Sequence, residues 1–134
     1  MGTRPGQSLF DIARQPVDDD RAILSEYHAA GSNTAGFMLR KGPWKYHHYV
    51  RFQPELFNLD SDPGELHDLA GEPAYAAVLA GMKAALYAIC NPEEVDRQAK
   101  ADQAALIERM GGPEAASTMG SSGATPAPKV EQAA

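Results

Sequence analysis

Beginning at Trp44 the chain reads WKYHHYVR, in which side chains alternate strictly. Trp44, Tyr46, His48 and Val50 fall on one side of an extended backbone, and Lys45, His47, Tyr49 and Arg51 on the other. A helix would scatter both sets around its circumference, so the segment is a sheet strand with two unlike faces. Such a strand needs hydrogen-bonding neighbours, and three other short segments carry β-favouring residues between breakers: 22–27, 36–41 and 55–59. Gly42 and Pro43 join the second segment to the third closely enough for an antiparallel hairpin, and Gln53-Pro54 is the next expected reversal. The expectation is a small four-stranded antiparallel sheet over 22–27, 36–41, 44–51 and 55–59.

Beyond the sheet the period changes. Asp62-Pro63 with Glu65 three positions after the aspartate is a capping-box pattern with proline at the first helical position, predicting a short helical turn. From Ala74, Tyr75, Val78, Leu79, Met82, Leu86 and Ile89 lie on one stripe of a 3.6-period helix, which is expected to cover the sheet. Asn91-Pro92-Glu93-Glu94 repeats the cap, and a second helix is expected to run to about Met110. Its apolar face is thin, chiefly Val95, Ala99, Leu106 and Ile107, as for a helix that packs against something outside this chain. The fold class is therefore α+β, with one long helix on the sheet, a second C-terminal helix and a disordered tail. By domain, 1–20 is an irregular lead-in in which only SLFDIA can form a helical turn, 21–110 is the folded subdomain, and 111–134 is a flexible, small and polar tail.

Composition removes several function classes. At 134 residues there is room for one small domain. The net charge of −6 is opposite to that of a phosphate-backbone binder, so no nucleic-acid partner is expected. A single cysteine, Cys90, excludes an internal disulfide framework and a cysteine-rich zinc site. The chain starts without an apolar signal core and has no run of the ~18–20 apolar residues that a membrane span needs, which leads to the expectation of a cytoplasmic chain with no membrane partner.

The residues that can carry chemistry are few. Glu26 and His28 precede a loop of small and polar residues that could present them, with Ser32 and Asn33, to a ligand; a solvated loop histidine is the plainer reading. His47 and His48 are adjacent on a strand, point to opposite faces and cannot share a metal ion, and with His67 the four histidines have no ligand spacing, so no metal is expected. Arg40, Lys41, Lys45 and Arg51 gather cations around one hairpin, either to meet an anion or to balance nearby acids. Cys90 in CNPEE is followed by nothing basic that would activate a thiolate, and no catalytic residue is assigned.

The succession of motifs is more specific than any one of them. Ser25-Glu26-Tyr27-His28, then Met38-Leu39-Arg40-Lys41-Gly42 with Lys45-Tyr46, then Leu56-Phe57-Asn58-Leu59 with Asp62-Pro63, Glu65, Asp68 and Leu69, resembles the C-terminal region of the sulfatase family, in the choline-sulfatase-like and phosphonate-monoester-hydrolase-like branch of the alkaline-phosphatase-like superfamily. The likeness covers roughly residues 7–128 but about the last quarter of a family member. It implies a four-stranded sheet with a long helix, packed beside a larger α/β domain that hydrolyses sulfate esters with a formylglycine and a divalent metal such as calcium or manganese. The formylglycine comes from a C/S-x-P-x-R motif that this chain does not contain, because Glu94 stands where Cys90-Asn91-Pro92 would need arginine.

The resemblance thus implies a sulfatase fragment that is inactive alone, with no cofactor of its own. Its partner would be the missing catalytic domain, Glu26, His28, Ser32 and Asn33 would be candidates for the substrate rim, and Thr118–Ala134 would be available for homo-oligomer contacts. The alternative is an independent, non-catalytic protein-interaction module; a stand-alone hydrolase built on Glu26 and His28 is the least favoured reading.

Overall fold

A computed structural model describes residues 7–28 and 32–118. The chain divides into two compact units, residues 1–96 and 97–134.

The first unit opens with a short helix, α1 (Leu9–Ala13), where SLFDIA predicts one turn. Four strands follow: β1 (Ile23–Tyr27), β2 (Gly36–Lys41), β3 (Trp44–Tyr49) and β4 (Glu55–Asn58). They form one antiparallel sheet in the order β1-β2-β3-β4, as the strand pattern and its breakers predict. Lys41 pairs with Trp44, which leaves Gly42 and Pro43 as the whole loop. Gly42 has φ +54, whereas the ring of Pro43 confines it to negative φ, so the turn is type II′, whose twist matches that of the paired strands.

β3 stops two residues short of the expected Arg51. That residue is left-handed at φ 71, a conformation that cannot extend a strand, and the Phe52 N–H closes the turn on the Tyr49 carbonyl at 3.0 Å. The reversal thus falls on 49–52, ahead of Gln53-Pro54. β1 and β4 are each one residue shorter than expected.

The face of β3 that carries Tyr46, His48 and Val50 is the buried one, and Phe37, Leu39 and Leu56 from its neighbours complete the sheet's share of the core. Helix α2 (Ala76–Ile89), entered through a 3₁₀ turn over Pro73–Tyr75, lays Met82 and Leu86 on that layer. Ile89 departs from its assigned stripe and is half exposed, while Ala85 and Cys90 pack instead. Cys90 is already extended, at φ −150 and ψ 165, which turns the last contact from the helix onto its cap.

The expected helical turn at Asp62-Pro63 does not form. Glu65 sits at φ 55, outside the helical region, and its carboxylate binds Lys45 Nζ at 2.7 Å rather than reaching back to a cap. Asp62 caps a turn instead, accepting the His67 N–H at 2.9 Å. Helix α3 (Pro92–Arg109) starts where Asn91-Pro92 predicts, with the Glu94 N–H on Asn91 Oδ1 at 3.1 Å.

In the second unit α3 ends at Gly111 and Gly112, at φ 94 and 95, and the Gly112 N–H returns to the Ile107 carbonyl at 3.0 Å, a Schellman closure. Part of the expected flexible tail is ordered: Pro113–Thr118 form α4, started by a proline that needs no N–H partner. The rest of the tail, and with it the proposed oligomer segment beyond Thr118, lies outside the described residues. No single helix among the described residues is long and apolar enough to cross a membrane.

Candidate functional site

The motif residues are fixed first by what they hold together. Asp68 Oδ1 accepts the N–H groups of Leu56 and Ala70, each at 2.9 Å, and the Leu69 N–H reaches the Leu56 carbonyl at 2.8 Å, so the segment after β4 is stitched to the strand it has just left. Both Glu65 oxygens take Lys45 Nζ at 2.7 Å, which ties the same segment to β3. Asp62 is held below the usual carboxylate range by the backbone N–H groups of His67 and Leu66. The D-P-x-E-x-x-D-L string is therefore a staple for the sheet. Of the hairpin cations, Lys45 and Lys41 are balanced by acids, the latter by Asp20 at 3.2 Å, and Arg51 Nη2 lies 3.5 Å from the Asn33 carbonyl oxygen.

One face of the sheet carries α2. The other carries Ser25 and Tyr27 from β1, Met38 from β2, Lys45, His47 and Tyr49 from β3, and Glu55 and Phe57 from β4, as the strand register dictates. It is rich in rings: His47 stacks with Tyr49 at 6.2 Å and meets the edge of Phe57 at 6.1 Å. The Tyr49 hydroxyl donates to Glu55 Oε2 at 2.9 Å; burial first, and that bond with it, pushes its pKa up to about 12. His47 is lowered, mainly by burial and then by Lys45. A cavity of about 240 Å³ opens here, lined by Ser25, Tyr27, Ser32, Met38, His47 and Tyr49 among others.

The four rim candidates separate on this framework. Glu26 and Ser32 belong to that cavity's lining, and Ser32 Oγ donates to the Thr34 carbonyl at 2.5 Å. Glu26 and His28 are brought together, His28 Nε2 lying 3.3 Å from Glu26 Oε2, with the His28 ring edge-on to Phe37. Neither His28 nor Asn33 lines the cavity, and residues 29–31 of the loop between them lie outside the described residues.

Sequence reasoning missed a second cluster, on the helix-covered face. His48 is buried beside Tyr46, whose hydroxyl lies 3.2 Å from Nδ1; Tyr87 meets the ring edge-on at 5.9 Å, and Glu93 Oε1 is 3.9 Å from Nε2. The Tyr87 hydroxyl donates to the same Glu93 oxygen at 2.6 Å, which lowers the glutamate and, after burial, helps push the tyrosine up to about 12. Tyr46 and His48 also line a cavity of about 410 Å³ with Phe52, Leu79 and Lys83. A histidine on an apolar strand face was the available signal; Tyr87 and Glu93 arrive from elsewhere in the sequence. Close by, Cys90 is held above its usual thiol range by burial, then by Glu26 and Glu93, which opposes a reactive thiolate.

No family model matches the chain. Individual relatives do. Arylsulfatase K of Rattus norvegicus is 38% identical over 78 residues, covering 50% of this chain and 14% of that protein. The Delta 4,5-hexuronate-2-O-sulfatase of Bacteroides thetaiotaomicron is 37% identical over 67 residues, covering 48% of this chain and 14% of that protein. Among solved structures, a 2-O GAG sulfatase superposes on 74% of this chain with a TM-score of 0.52 and 29% identity, using 21% of its own length. Sequence and fold together support the sulfatase family. The sulfatase-related chain spans about a seventh of the length of these curated relatives.

Proposed function

We propose that this chain is the C-terminal, non-catalytic subdomain of a sulfuric ester hydrolase, whose sheet and loops brace and border an active-site cleft formed by a larger domain. The observation that carries the reading is the staple: the motif residues that make the chain resemble a sulfatase, Lys45, Asp62, Glu65 and Asp68, are spent on holding strand and loop together. The ring-rich sheet face, opposite the one that α2 covers and with Tyr27 more than half exposed, is the surface we assign to the larger domain.

The formylglycine and divalent metal implied by the family do not fit this chain. Cys90-Asn91-Pro92-Glu93-Glu94 lacks the arginine of the motif, and among the described residues no three His, Cys, Asp or Glu side chains converge as a metal site. Glu26, His28, Ser32 and Asn33 are proposed only as border residues.

For the substrate we propose a 2-O-sulfated uronate: the names of two relatives carry 2-O-sulfatase, and that of one of them carries hexuronate. The choline-sulfatase-like and phosphonate-monoester-hydrolase-like branch that the motifs resemble supplies the comparison substrates. The test begins with the nucleotide sequence just upstream, read in all frames for C/S-x-P-x-R. The purified chain should leave an aryl sulfate intact with calcium or manganese added, and co-expression with the upstream domain should restore turnover. A 2-O-sulfated unsaturated uronate should then be cleaved in preference to choline sulfate or an aryl phosphonate. Turnover by the chain alone would overturn the reading, and preference for choline sulfate would overturn the substrate while leaving the subdomain in place.

A further inference from the structure

His48 combines burial with an unmet hydrogen-bonding atom. The residue is 9% exposed, and its Nε2 is the buried side-chain nitrogen or oxygen that has no partner among the described residues. Groups reach it from each element packed there: Tyr46 on β3, Phe37 on β2, Lys83 and Tyr87 on α2, and Glu93 in the first turn of α3. Neutral imidazole has one donor and one acceptor nitrogen. With the Tyr46 hydroxyl donating to Nδ1, the ring proton sits on Nε2 and points toward Glu93, beyond hydrogen-bond range at 3.9 Å. The opposite tautomer would set the Nε2 lone pair against that carboxylate and is the poorer arrangement.

A second ring proton has to land on Nδ1, where Tyr46 already donates. The hydroxyl must then turn and find another acceptor within a layer where Tyr46 is only 1% exposed. The new charge also faces Lys83, and Glu93 is already engaged by Tyr87. Protonation thus reverses a buried hydrogen bond, leaves the Tyr46 hydroxyl proton to be placed elsewhere, and adds a charge whose nearby carboxylate, Glu93, stands 3.9 Å away and is already engaged by Tyr87.

We propose that His48 is an acid-sensitive latch between the sheet and the α2–α3 corner: neutral, it holds Tyr46 and seats Tyr87; protonated, it lets the corner go. The inference concerns this chain's own packing and does not depend on the catalytic reading. It is tested on the full chain by following the His48 ring by NMR from neutral to about pH 5, the interval in which histidine switches. Amide-exchange protection of residues 91–96, corrected for intrinsic rates, is read over the same range.

Protection should fall severalfold as the His48 ring takes up its proton, and His48→Gln, which cannot charge, should remove that acid-dependent loss. Glu93→Gln removes the carboxylate that favours the charged ring and should move the release to lower pH, a check that remains if the first variant does not fold. Protection that stays constant or rises while His48 titrates, an acid-dependent loss retained in His48→Gln, or a release that does not move in Glu93→Gln, would each overturn the latch.

Discussion

The Ala35 N–H donates to Asp96 Oδ1 at 2.9 Å across 61 positions of sequence, joining the entry to β2 to the first turns of α3. Both residues are buried, Ala35 at 1% and Asp96 at 7% exposure. Asp96→Ala is expected to leave that N–H unsatisfied and to cost about 1–3 kcal/mol in denaturant unfolding. Asp96→Asn keeps a carbonyl acceptor at the site and should cost less. Equal losses from the two variants would show that charge, and not the hydrogen bond, is what the site requires.

Asp68 serves two donors with one oxygen, binding Leu56 inside β4 and Ala70 beyond it. Asp68→Ala should therefore loosen the strand and the following loop together, at a cost of roughly 1–3 kcal/mol. Amide exchange at Leu56 and Ala70 would report it, with both accelerating in parallel. Acceleration at Ala70 alone would mean that β4 is held by its sheet pairing without the staple.

These two bonds mark the boundary of what sequence reveals. Alternation fixes the faces of β3, the Gly42-Pro43 pair fixes the hairpin, and Asn91-Pro92 marks the start of α3, because each is a local signal that its own neighbourhood satisfies. Asp62-Pro63 carries the same local signal as Asn91-Pro92 and fails, since the Glu65 carboxylate is drawn away to Lys45 on β3. Asp96 carries no local signal of its role, because its donor lies on a different element. The His48 cluster was hidden for the same reason, as its ring was legible on the apolar face but Tyr87 and Glu93 were not. Of the border candidates, the Glu26–His28 pair is two residues apart and local, whereas the cavity that takes in Glu26 and Ser32 depends on sheet register.

Gly42 is where backbone conformation alone should decide stability. At φ +54 an L side chain is strained, and an added Cβ would sit 3.4 Å from the Asp19 carbonyl oxygen. Gly42→Ala is expected to cost about 1–2 kcal/mol, the penalty for holding an L-residue in the left-handed region. The melting temperature should fall while the strand register, read from cross-strand NOEs, is unchanged. A variant as stable as the parent would mean that the hairpin can change turn type without loss.

The way α2 seats on the sheet predicts a contrast between two of its aliphatic residues. Leu86 is 0% exposed among Phe37, Leu39, Tyr46 and Leu56, whereas Ile89, on the same sequence stripe, is 50% exposed. Leu86→Ala should cost about 2–5 kcal/mol, and Ile89→Ala should stay within about 0.5 kcal/mol of the parent, as for a surface position. Similar losses would indicate that the helix is rotated so that Ile89, and not Cys90, closes the core.

Acid should weaken the fold in two stages. His48 and His47 are lowered from 6.5, chiefly by burial, so the unfolded chain binds more protons than the folded one below that value. The stability their neutral forms provide is complete above about pH 6.5 and diminishes as pH falls toward their folded values. Glu93 and Asp62 are lowered carboxylates; their contribution is present above the unfolded values of 4.5 and 3.8 and is lost as pH falls through the folded ones. Unfolding free energy measured against pH should therefore begin to decline where histidine ordinarily titrates and steepen in the carboxylate range. In His47→Gln combined with His48→Gln the first decline should vanish and the second remain. A double variant that keeps the first decline would assign it to another group, and a parent that gains stability between neutrality and pH 5 would reverse the sign argued for both rings.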